Sequence, residues 1–421
     1  MRNLLIVCDA FPPSFAPRMG ALSKYLQELG WCVYVLTEEQ DAVGCSVEGC
    51  TQNVLRLKYY KRSGKLAWLG GFLLDYSFNR KNKLLVSLFR KHWRDVKFDA
   101  VLCSTYMAFP MQAAYDISKM CGAPLVYDFR DIVEQFVGFE FAKHKIFRHA
   151  GLNNFAHKIR RRKIIAQRNR LLAMADAVTT VSPWHKEMLE KILSSGDSKC
   201  KSVTVIYNGF DPQFFFPKDI KSNKFVIEYT GRVLDLRLQN PLLLFEALQK
   251  LKSQEVINAS DFVVNWHTDT SSAKKIGELA SSYNVSEFVK IENYVPQQSV
   301  PDLLNRSSVI LVLTNKMEKG GPQGVLTTKF FEALSVRKPV LCVRSDEAYL
   351  AKLIDDTRSG ISAINADEVA HFIKKYYAVW KSDGIVKIES NNKLVETFSR
   401  KHQAGQFDQL LKKIAVQDNS N

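Results

Sequence analysis

The sequence has no long hydrophobic run. None of its apolar stretches approaches the roughly 18 residues that a membrane-spanning helix needs, and the longest candidate covers only residues 66–74. The N-terminus, "MRNLLIVCDAFPP", has one early arginine and a short apolar run but no cleavage site. It therefore predicts a first β-strand and no signal peptide.

The sequence also lacks paired cysteines. Its eight cysteines are scattered without a Cys-x-x-Cys motif, and the closest two are Cys45 and Cys50. This spacing fits neither a zinc site nor a disulfide framework. It favours a reduced, cytosolic compartment.

Acidic residues are scarce in two segments of a chain whose formal net charge is +16. Residues 61–97 hold ten Lys/Arg against two Asp, and residues 143–170 hold ten Lys/Arg and no acid. Because these two segments account for more than the whole net charge, the rest of the chain is close to neutral. A local basic field of this kind predicts a local anionic partner.

A length of 421 residues exceeds one ordinary core, so we expect two domains. In the first part of the chain, strand-like apolar runs alternate with helical patterns. Leu22, Leu26 and Leu29, for example, recur at helical spacing before Gly30. Several runs are continuously apolar, as expected for a parallel sheet covered on both faces. The predicted strands are 3–8, 31–37, 54–60, 100–105, 124–129, 177–182 and 203–208.

The same alternation starts again at residue 224. A predicted helix over 240–251 has Asn240 as its cap and Pro241 in its first turn. Further helices are predicted over 271–283 and 298–305. The predicted strands of this part are 225–231, 262–266, 289–291, 309–314 and 339–343.

This organisation predicts an α/β protein of two doubly wound halves in series. We expect an N-terminal domain over 1–207, a hinge or linker over 208–223, a C-terminal domain over 224–400, and a C-terminal helix and tail over 401–421. A nucleotide-type ligand would lie at the carboxyl ends of the strands, in the cleft between the halves.

The segment "GGPQGVLTTKFFEALSVRKPVLC" (320–342) joins a glycine-broken loop to a short helix and a strand. Its glycines let a backbone approach a ligand without interference from Cβ. The amides of Thr327, Thr328 and Lys329 lie near the predicted helix N-terminus, where free N–H groups and the helix dipole attract phosphate. Glu332, one turn inside, offers two acceptor oxygens to a ribose diol. The alternative is an ordinary glycine turn with a glutamate that stabilises the helix dipole.

A second stretch, "YTGRVLDLR" (229–237), ends a strand at Gly231 and places Arg232 and Arg237 in the following loop. Two guanidiniums at the carboxyl end of a strand suit a diphosphate, because arginine presents a forked set of donors. The alternative is a pair of solvated surface arginines.

With these features in this order, the chain resembles the family-4 type of GT-B glycosyltransferases from about residue 3 to residue 415. The resemblance implies two Rossmann-like domains that face each other across a cleft. It also implies an enzyme without metal or cofactor that transfers a sugar from a nucleotide-sugar with retention. The donor would lie mainly on the C-terminal half and the acceptor mainly on the N-terminal half. The matching motifs are "FPP", "LGWCVYVLT", "APLVYDFRD", "VTTVSPWHKEML", "VIYNGFD", "YTGR" and "TTKFFEALSVRKPVL".

By position, the resemblance assigns Glu332 to the second acid of the family's paired glutamates, which holds the ribose. Arg232 and Arg237 take the positions of the Arg and Lys that neutralise the leaving diphosphate. Neutralising a charge that grows as the bond breaks stabilises the transition state. The donor-binding residues implied in this way are Gly324, Val325, Leu326, Thr327, Thr328, Lys329 and Glu332.

The chain departs from the family at several positions. The first glutamate of the pair falls at Gly324, so backbone amides or a neighbouring side chain must contact the donor sugar, although "T-x-K-x-x-E" also occurs among such enzymes. The usual lysine is Arg237. Where many relatives have a histidine after the fifth strand, this chain has Arg130 and then Asp131. Asp131 would orient an acceptor hydroxyl or steady the sugar's oxocarbenium-like charge, and its alternative is a salt bridge with Arg130. The candidate catalytic residues are Arg130, Asp131, Arg232 and Arg237.

Arg18 lies in "SFAPRMG" (14–20), which replaces the glycine pair that many relatives carry after the first strand. That loop faces the cleft in the family, so Arg18 is a candidate contact for a phosphate or an acceptor group. The alternative is an arginine in solvent at the start of a helix.

These features together predict a glycosyltransferase that acts on a lipid-linked saccharide in bacterial surface polysaccharide synthesis. We expect it in the cytoplasm, peripheral on the inner face of the cytoplasmic membrane. The competing interpretation is a non-catalytic basic protein on a GT-B scaffold that binds nucleic acid or an anionic surface, since residues 59–97 interleave aromatic with basic residues. We favour the enzyme, without a nucleic-acid partner, because a scaffold has no reason to keep the diphosphate and ribose residues.

The basic segments also predict docking on an anionic membrane surface. Basic residues that flank an apolar stripe are typical of an interfacial helix. The alternative is that the apolar residues pack on the protein's own core. The predicted stripes are Trp68, Phe72 and Leu73, and then Leu85, Leu88, Phe89 and Trp93.

Overall fold

The computed structural model describes residues 1–40, 45, 47–59, 78–135, 150–233, 236, 239–314 and 326–418. The chain forms two compact units, an N-terminal unit from Met1–Tyr207 with Arg400–Asn421 and a C-terminal unit from Asn208–Ser399. Residues 208–223, expected as a linker, thus group with the C-terminal unit, and the end of the chain groups with the N-terminal unit.

The N-terminal unit is built on a parallel sheet that has seven strands in the described residues. They are β1 (Arg2–Cys8), β2 (Trp31–Glu38), β3 (Val54–Leu57), β4 (Ala100–Thr105), β5 (Leu125–Phe129), β6 (Ala177–Thr180) and β7 (Val203–Val205). Their order is β3-β2-β1-β4-β5-β6-β7, and each neighbouring pair is parallel. The central strands are continuously apolar because helices cover both faces. The helices are α1 (Pro17–Glu28), α2 (Arg80–Trp93), α3 (Met111–Cys121), α4 (Ala150–Leu172) and α5 (Pro183–Ser194).

The C-terminal unit repeats this plan with a six-stranded parallel sheet. Its strands are β8 (Phe225–Thr230), β9 (Phe262–His267), β10 (Val289–Glu292), β11 (Val309–Leu313), β12 (Val340–Val343) and β13 (Gly360–Ala363). Their order is β10-β9-β8-β11-β12-β13. The helices are α6 (Leu242–Ser253), α7 (Thr270–Ser282), α8 (Val300–Arg306), α9 (Thr328–Val336), α10 (Tyr349–Thr357), α11 (Ala366–Asp383) and α12 (Asn392–Glu396).

The last helix, α13 (Arg400–Asp418), packs on the N-terminal unit. Phe407 and Leu411 are almost fully buried in the core around β1 and α1. The Trp31 indole donates a hydrogen bond to Asp408 Oδ1 at 2.8 Å. Burial of this apolar face explains why a segment so far along the chain joins the first unit.

The observed elements differ from the predicted ones at several strand ends, at one helix start and at one strand. Strands β3, β6 and β7 end before the predicted limits, at Leu57, Thr180 and Val205. The helix expected to have Asn240 as its cap begins at Leu242 with Pro241 as N-cap, and Asn240 Oδ1 accepts a hydrogen bond from the Leu242 amide instead. Strand β13 was missed because "GISA" carries only one bulky apolar residue.

The second predicted membrane stripe packs inside the N-terminal unit. Leu85 and Phe89 of α2 are 0% and 1% exposed in its hydrophobic core, and Leu88 and Trp93 pack against that core. The prediction that this stripe faces a membrane is therefore wrong, because the protein's own core covers it. The other stripe, Trp68, Phe72 and Leu73, lies outside the described residues.

Candidate functional site

The loop after β8 begins with a glycine of positive φ at the carboxyl edge of the C-terminal sheet. Gly231 has φ +137°, a conformation that residues with a side chain rarely adopt. Its amide donates a hydrogen bond to the carbonyl of His267 at 2.9 Å, which ties the loop to the end of β9. A Cβ atom on Gly231 would lie 2.2 Å from Lys329 Cε and 2.6 Å from Lys329 Nζ. The missing side chain therefore leaves the space that Lys329 occupies.

The side chain of Arg232, the next residue, is fixed through its Nε and is otherwise accessible. Its Nε donates to the Tyr294 hydroxyl at 2.8 Å and lies 3.4 Å from Asp269 Oδ2. The hydrogen bond with Tyr294 raises the pKa of Arg232 further. Asp269 caps α7 by accepting from the Ser272 amide, which lowers the pKa of Asp269. Since the Arg232 side chain is 61% exposed, its guanidinium remains available to an anionic ligand.

The start of α9 brings a second cation to Gly231. Burial lowers the pKa of Lys329, and the charge of Glu332 one turn on opposes that shift. Within the described part of the chain, no hydrogen-bond acceptor or ion-pair partner is assigned to Lys329 Nζ. Thr327 is the N-cap, but its side chain does not accept from the first-turn amides. Unpaired amides at a helix start and an ammonium group both attract anions.

The remaining residues of the predicted donor set divide into three groups. Glu332 lies one turn inside α9, as the sequence predicted, and its side chain is partly buried. Leu326 is 7% exposed, so its apolar side chain is part of the interior and only its backbone is left for a ligand. Gly324, Val325 and Arg237 lie outside the described residues.

A buried ionisable pair, which the sequence analysis missed, lies behind the Gly231 loop. His267 Nε2 is 3.1 Å from Glu228 Oε1, and the two side chains are 6% and 2% exposed. Asn265 Nδ2 donates to the other oxygen of Glu228 at 3.3 Å. The hydrogen bond with Glu228 raises the pKa of His267, and burial raises the pKa of Glu228. The detectable signal was a glutamate inside the apolar strand "FVIEYT".

The N-terminal unit contains a pocket of about 330 Å³ at the carboxyl edge of its own sheet. Asp9 follows β1 directly and Tyr106 follows β4 directly, so the strand-end rule would have found both. Arg160 and Lys163 of α4 line the pocket as well. Burial lowers the pKa of Arg160 and raises that of Tyr106. The other polar residues of the lining are Glu38, Gln40, Asn79, Lys81, Asn82 and Gln167.

Arg130 forms an ion pair with Asp9 of this pocket. The alternative that Arg130 pairs with its neighbour Asp131 is therefore wrong. Burial raises the pKa of Asp9, and the charge of Arg130 opposes this shift. Arg130 thus positions a pocket carboxylate, a role that its place in the sequence did not reveal.

Asp131 instead ends a chain of hydrogen bonds. Its Oδ1 accepts from Gln135 Nε2 at 2.7 Å, and Gln135 Oε1 lies 3.0 Å from His185 Nε2. Burial lowers the pKa of His185 to about 4, so the ring is neutral and donates to the amide oxygen, which can only accept. Burial also raises the pKa of Asp131. His185, which the sequence left unassigned, therefore orients Gln135 and through it Asp131.

Arg18 lies in the interior, so the alternative of a solvent-exposed arginine is wrong. Its side chain is 8% exposed and forms a salt bridge of 3.1 Å with Asp128. It also donates to the carbonyls of Tyr207 at 2.7 Å and Ile206 at 3.1 Å. These bonds join β5 to the segment after β7 and use the guanidinium in a structural role. The phosphate contact predicted for Arg18 gains no support from this arrangement.

The described residues contain neither a candidate metal site nor a candidate membrane-spanning helix. No group of three or more His, Cys, Asp or Glu side chains there has an arrangement that could hold a metal ion. Among the described helices, none combines the length and apolar character that crossing a membrane requires.

Comparisons with known proteins support the predicted fold and family resemblance. The sequence model of Glycosyltransferase Family 4 matches residues 18–214. No curated protein matches the chain. Among solved structures, the chain is similar to a glycosyltransferase from Rickettsia africae ESF-5, with 18% identity, a TM-score of 0.63 and 98% of each chain covered.

Two further similar structures are those of a protein in complex with UDP and glucose and of a galactosyltransferase. Anabaena HepE in complex with UDP and glucose is 14% identical, with a TM-score of 0.61 over 98% of this chain and 100% of that one. The lipopolysaccharide outer core galactosyltransferase WaaB is 13% identical, with a TM-score of 0.55 over 96% and 98%. The predicted fold is confirmed, since structures that match nearly the whole chain share the GT-B fold. The predicted resemblance to family 4 is supported by the match over residues 18–214.

Proposed function

We propose that the protein transfers a sugar from a nucleotide-sugar donor, with retention, to a lipid-linked saccharide. The product would be a bacterial surface polysaccharide such as O-antigen, capsule or exopolysaccharide. The main support for the donor site is that Lys329 lies against Gly231, next to Arg232. Two cations and the free amides at the start of α9 match a diphosphate, and Glu332 matches a ribose diol.

The chemistry of these residues fits departure of a nucleoside diphosphate. Negative charge grows on the leaving group as the glycosidic bond breaks, so fixed cations stabilise the transition state more than the ground state. A desolvated ammonium such as that of Lys329 gains most from an anion nearby. We propose that Arg232, Arg237 and Lys329 together neutralise this charge, without a metal ion or cofactor. HepE, which shares the fold, was solved with UDP-glucose.

We assign the acceptor to the pocket of the N-terminal unit. A volume of about 330 Å³ is at the lower end of the range for small-molecule sites. Asp9 would accept a hydrogen bond from an acceptor hydroxyl, and Asp131 remains a candidate for the same role. Arg160 and Lys163 give the pocket a cationic side that suits a phosphate or a carboxylate on the acceptor. Because a lipid-linked acceptor resides at the membrane, we place the enzyme in the cytoplasm on the inner membrane face.

A panel of UDP-, GDP-, ADP- and CMP-sugars tests the proposal. One nucleotide-sugar should raise the melting temperature, and Arg232→Ala should weaken that effect, whereas the control Lys290→Ala should not. NMR of the product with the preferred donor should show the anomeric configuration of the donor, and EDTA should leave the rate unchanged. If no nucleotide-sugar binds and RNA binds with a steep salt dependence, the non-catalytic alternative replaces this proposal.

A further inference from the structure

The first turns of α4 expose large apolar side chains on one face. Leu152, Phe155 and Ile159 are 57%, 64% and 41% exposed. Their spacing of three and four residues places them in one row along the helix. A contiguous exposed apolar row is uncommon on a protein that stays in water, and it marks an interaction surface.

The opposite face of α4 is already fixed to the N-terminal unit. Arg168 is 1% exposed, and its Nη1 donates to Glu134 at 3.2 Å. Leu171 and Leu172 belong to the hydrophobic core. The helix therefore has a defined outward side, and the apolar row on that side is not the one that packs on the protein's own core.

The row continues along the helix as a row of cations. At about 100° per residue, Arg162 and Arg170 fall on the same side as the apolar row, and Lys158 borders it. Lys158, Arg162 and Arg170 are all exposed. The whole of α4 contains seven Lys/Arg and no acid. The outward face thus combines an apolar start with a basic continuation, and we call it the α4 face.

We propose that the α4 face docks on an anionic lipid bilayer. An interfacial helix needs apolar side chains that enter the acyl boundary and cations that meet the headgroups, and this face has both. A second copy of the chain would bring seven cations against seven identical ones. RNA would pair with the cations but offers no apolar phase to Leu152, Phe155 and Ile159. The inference rests on the membrane location given in the proposed function and names the surface that would provide it, but it does not require the transfer reaction.

Flotation of the full chain with vesicles tests the proposal. Vesicles of phosphatidylglycerol and phosphatidylcholine should bind the protein, and vesicles of phosphatidylcholine alone should bind it far less. Binding should fall as salt rises. The variant Leu152→Ser/Phe155→Ser/Ile159→Ser should bind more than about tenfold more weakly. The variant Lys158→Gln/Arg162→Gln/Arg170→Gln should lose binding on the order of a hundredfold.

Matched controls come from exposed residues of the C-terminal unit. Phe216→Ser/Ile291→Ser/Ile364→Ser removes as many exposed apolar side chains, and Lys274→Gln/Lys290→Gln/Lys352→Gln removes the same charge. Both controls should bind vesicles like the wild type. Circular dichroism and nucleotide-sugar binding, measured on every variant, separate loss of docking from loss of fold or of the donor site.

Three results would overturn the proposal. Wild-type protein could fail to float with anionic vesicles at low salt, or the control variants could lose binding as much as the α4 variants. The third result is that the apolar variant binds vesicles like the wild type but loses another interaction. That interaction would be a dimer seen in sedimentation or the binding of RNA. If the wild type bound no nucleotide-sugar, that result would count against the proposed function but not against the docking of the α4 face.

Discussion

Lys329 lies in the space that a side chain at Gly231 would need. A Cβ atom there would be 2.2 Å from Lys329 Cε. The two residues come from motifs that the sequence presents separately, the strand-end "YTGR" and the helix start "TTKFFE". Their approach joins the expected diphosphate and ribose elements into one site in the C-terminal unit.

Gly231→Ala should therefore damage both the fold and donor binding. An alanine at φ +137° is strained by about 1–3 kcal/mol, and its Cβ would displace Lys329. We expect a lower free energy of unfolding in urea and at least about tenfold weaker nucleotide binding by calorimetry. The control is Gly277→Ala in α7, where a Cβ would meet its nearest atom at 3.8 Å. If Gly231→Ala bound nucleotide as tightly as the wild type, the contact between Gly231 and Lys329 would not be needed for donor binding.

Glu332→Ala should weaken donor binding through the ribose. Loss of a charge-assisted hydrogen bond costs about 1.5–3 kcal/mol, or about 10- to 150-fold in affinity. The wild type should prefer a nucleotide over its 2′-deoxy analogue, and the variant should lose that preference. Glu278→Ala, on an exposed part of α7, is the control. An unchanged preference in Glu332→Ala, with the fold intact, would remove the ribose assignment.

Arg232→Ala and Arg237→Ala should lower kcat more than they raise the KM for the donor. The diphosphate charge that these residues meet is larger in the transition state than in the bound substrate, so we expect losses of about 10²–10³ in rate. Arg306→Ala tests the effect of removing an exposed arginine elsewhere in the same unit. A change confined to KM would show that the two arginines bind the donor without stabilising its departure.

Arg160→Gln should raise the KM for an anionic acceptor and leave the donor KM unchanged. A partly buried guanidinium in the N-terminal pocket forms charge-assisted hydrogen bonds with an anionic acceptor, so the expected change is on the order of tenfold or more. Initial rates with an acidic or phosphorylated acceptor and with its neutral counterpart measure the effect. Lys201→Gln, an exposed cation of the same unit, is the control. Equal losses with both acceptors would argue against charge recognition.

Lys338→Met should stabilise the protein, and more so at neutral than at alkaline pH. Lys338 is 3% exposed, and burial lowers its pKa to about 8. Its pKa in the unfolded chain is about 10.4, so between these values the unfolded state binds more protons and wild-type stability rises with pH. The gain from methionine should be about 1–3 kcal/mol below pH 8 and should shrink above it. Urea unfolding across this range measures it, with exposed Lys387→Met as the control; a gain independent of pH would contradict the assignment.

The sequence by itself determined the local elements and part of the donor site. Continuous apolar runs predicted the central strands, because a strand buried on both faces needs no polar side chains along its length. The positions of Gly231, Arg232 and Glu332 at a strand end and a helix start followed from neighbouring residues alone. Such features depend on spacing within a few turns, and the sequence displays that spacing directly.

Only the tertiary structure decided which charges meet and which apolar faces are covered. Arg130 pairs with Asp9, 121 residues away, rather than with its neighbour Asp131. The stripe of Leu85 and Phe89 is buried, whereas Phe155 on another helix is exposed. Helical periodicity shows that a face is apolar but not what covers it, and charge spacing does not show which partner folding brings near. Those outcomes depend on the packing of distant segments, which no local pattern contains.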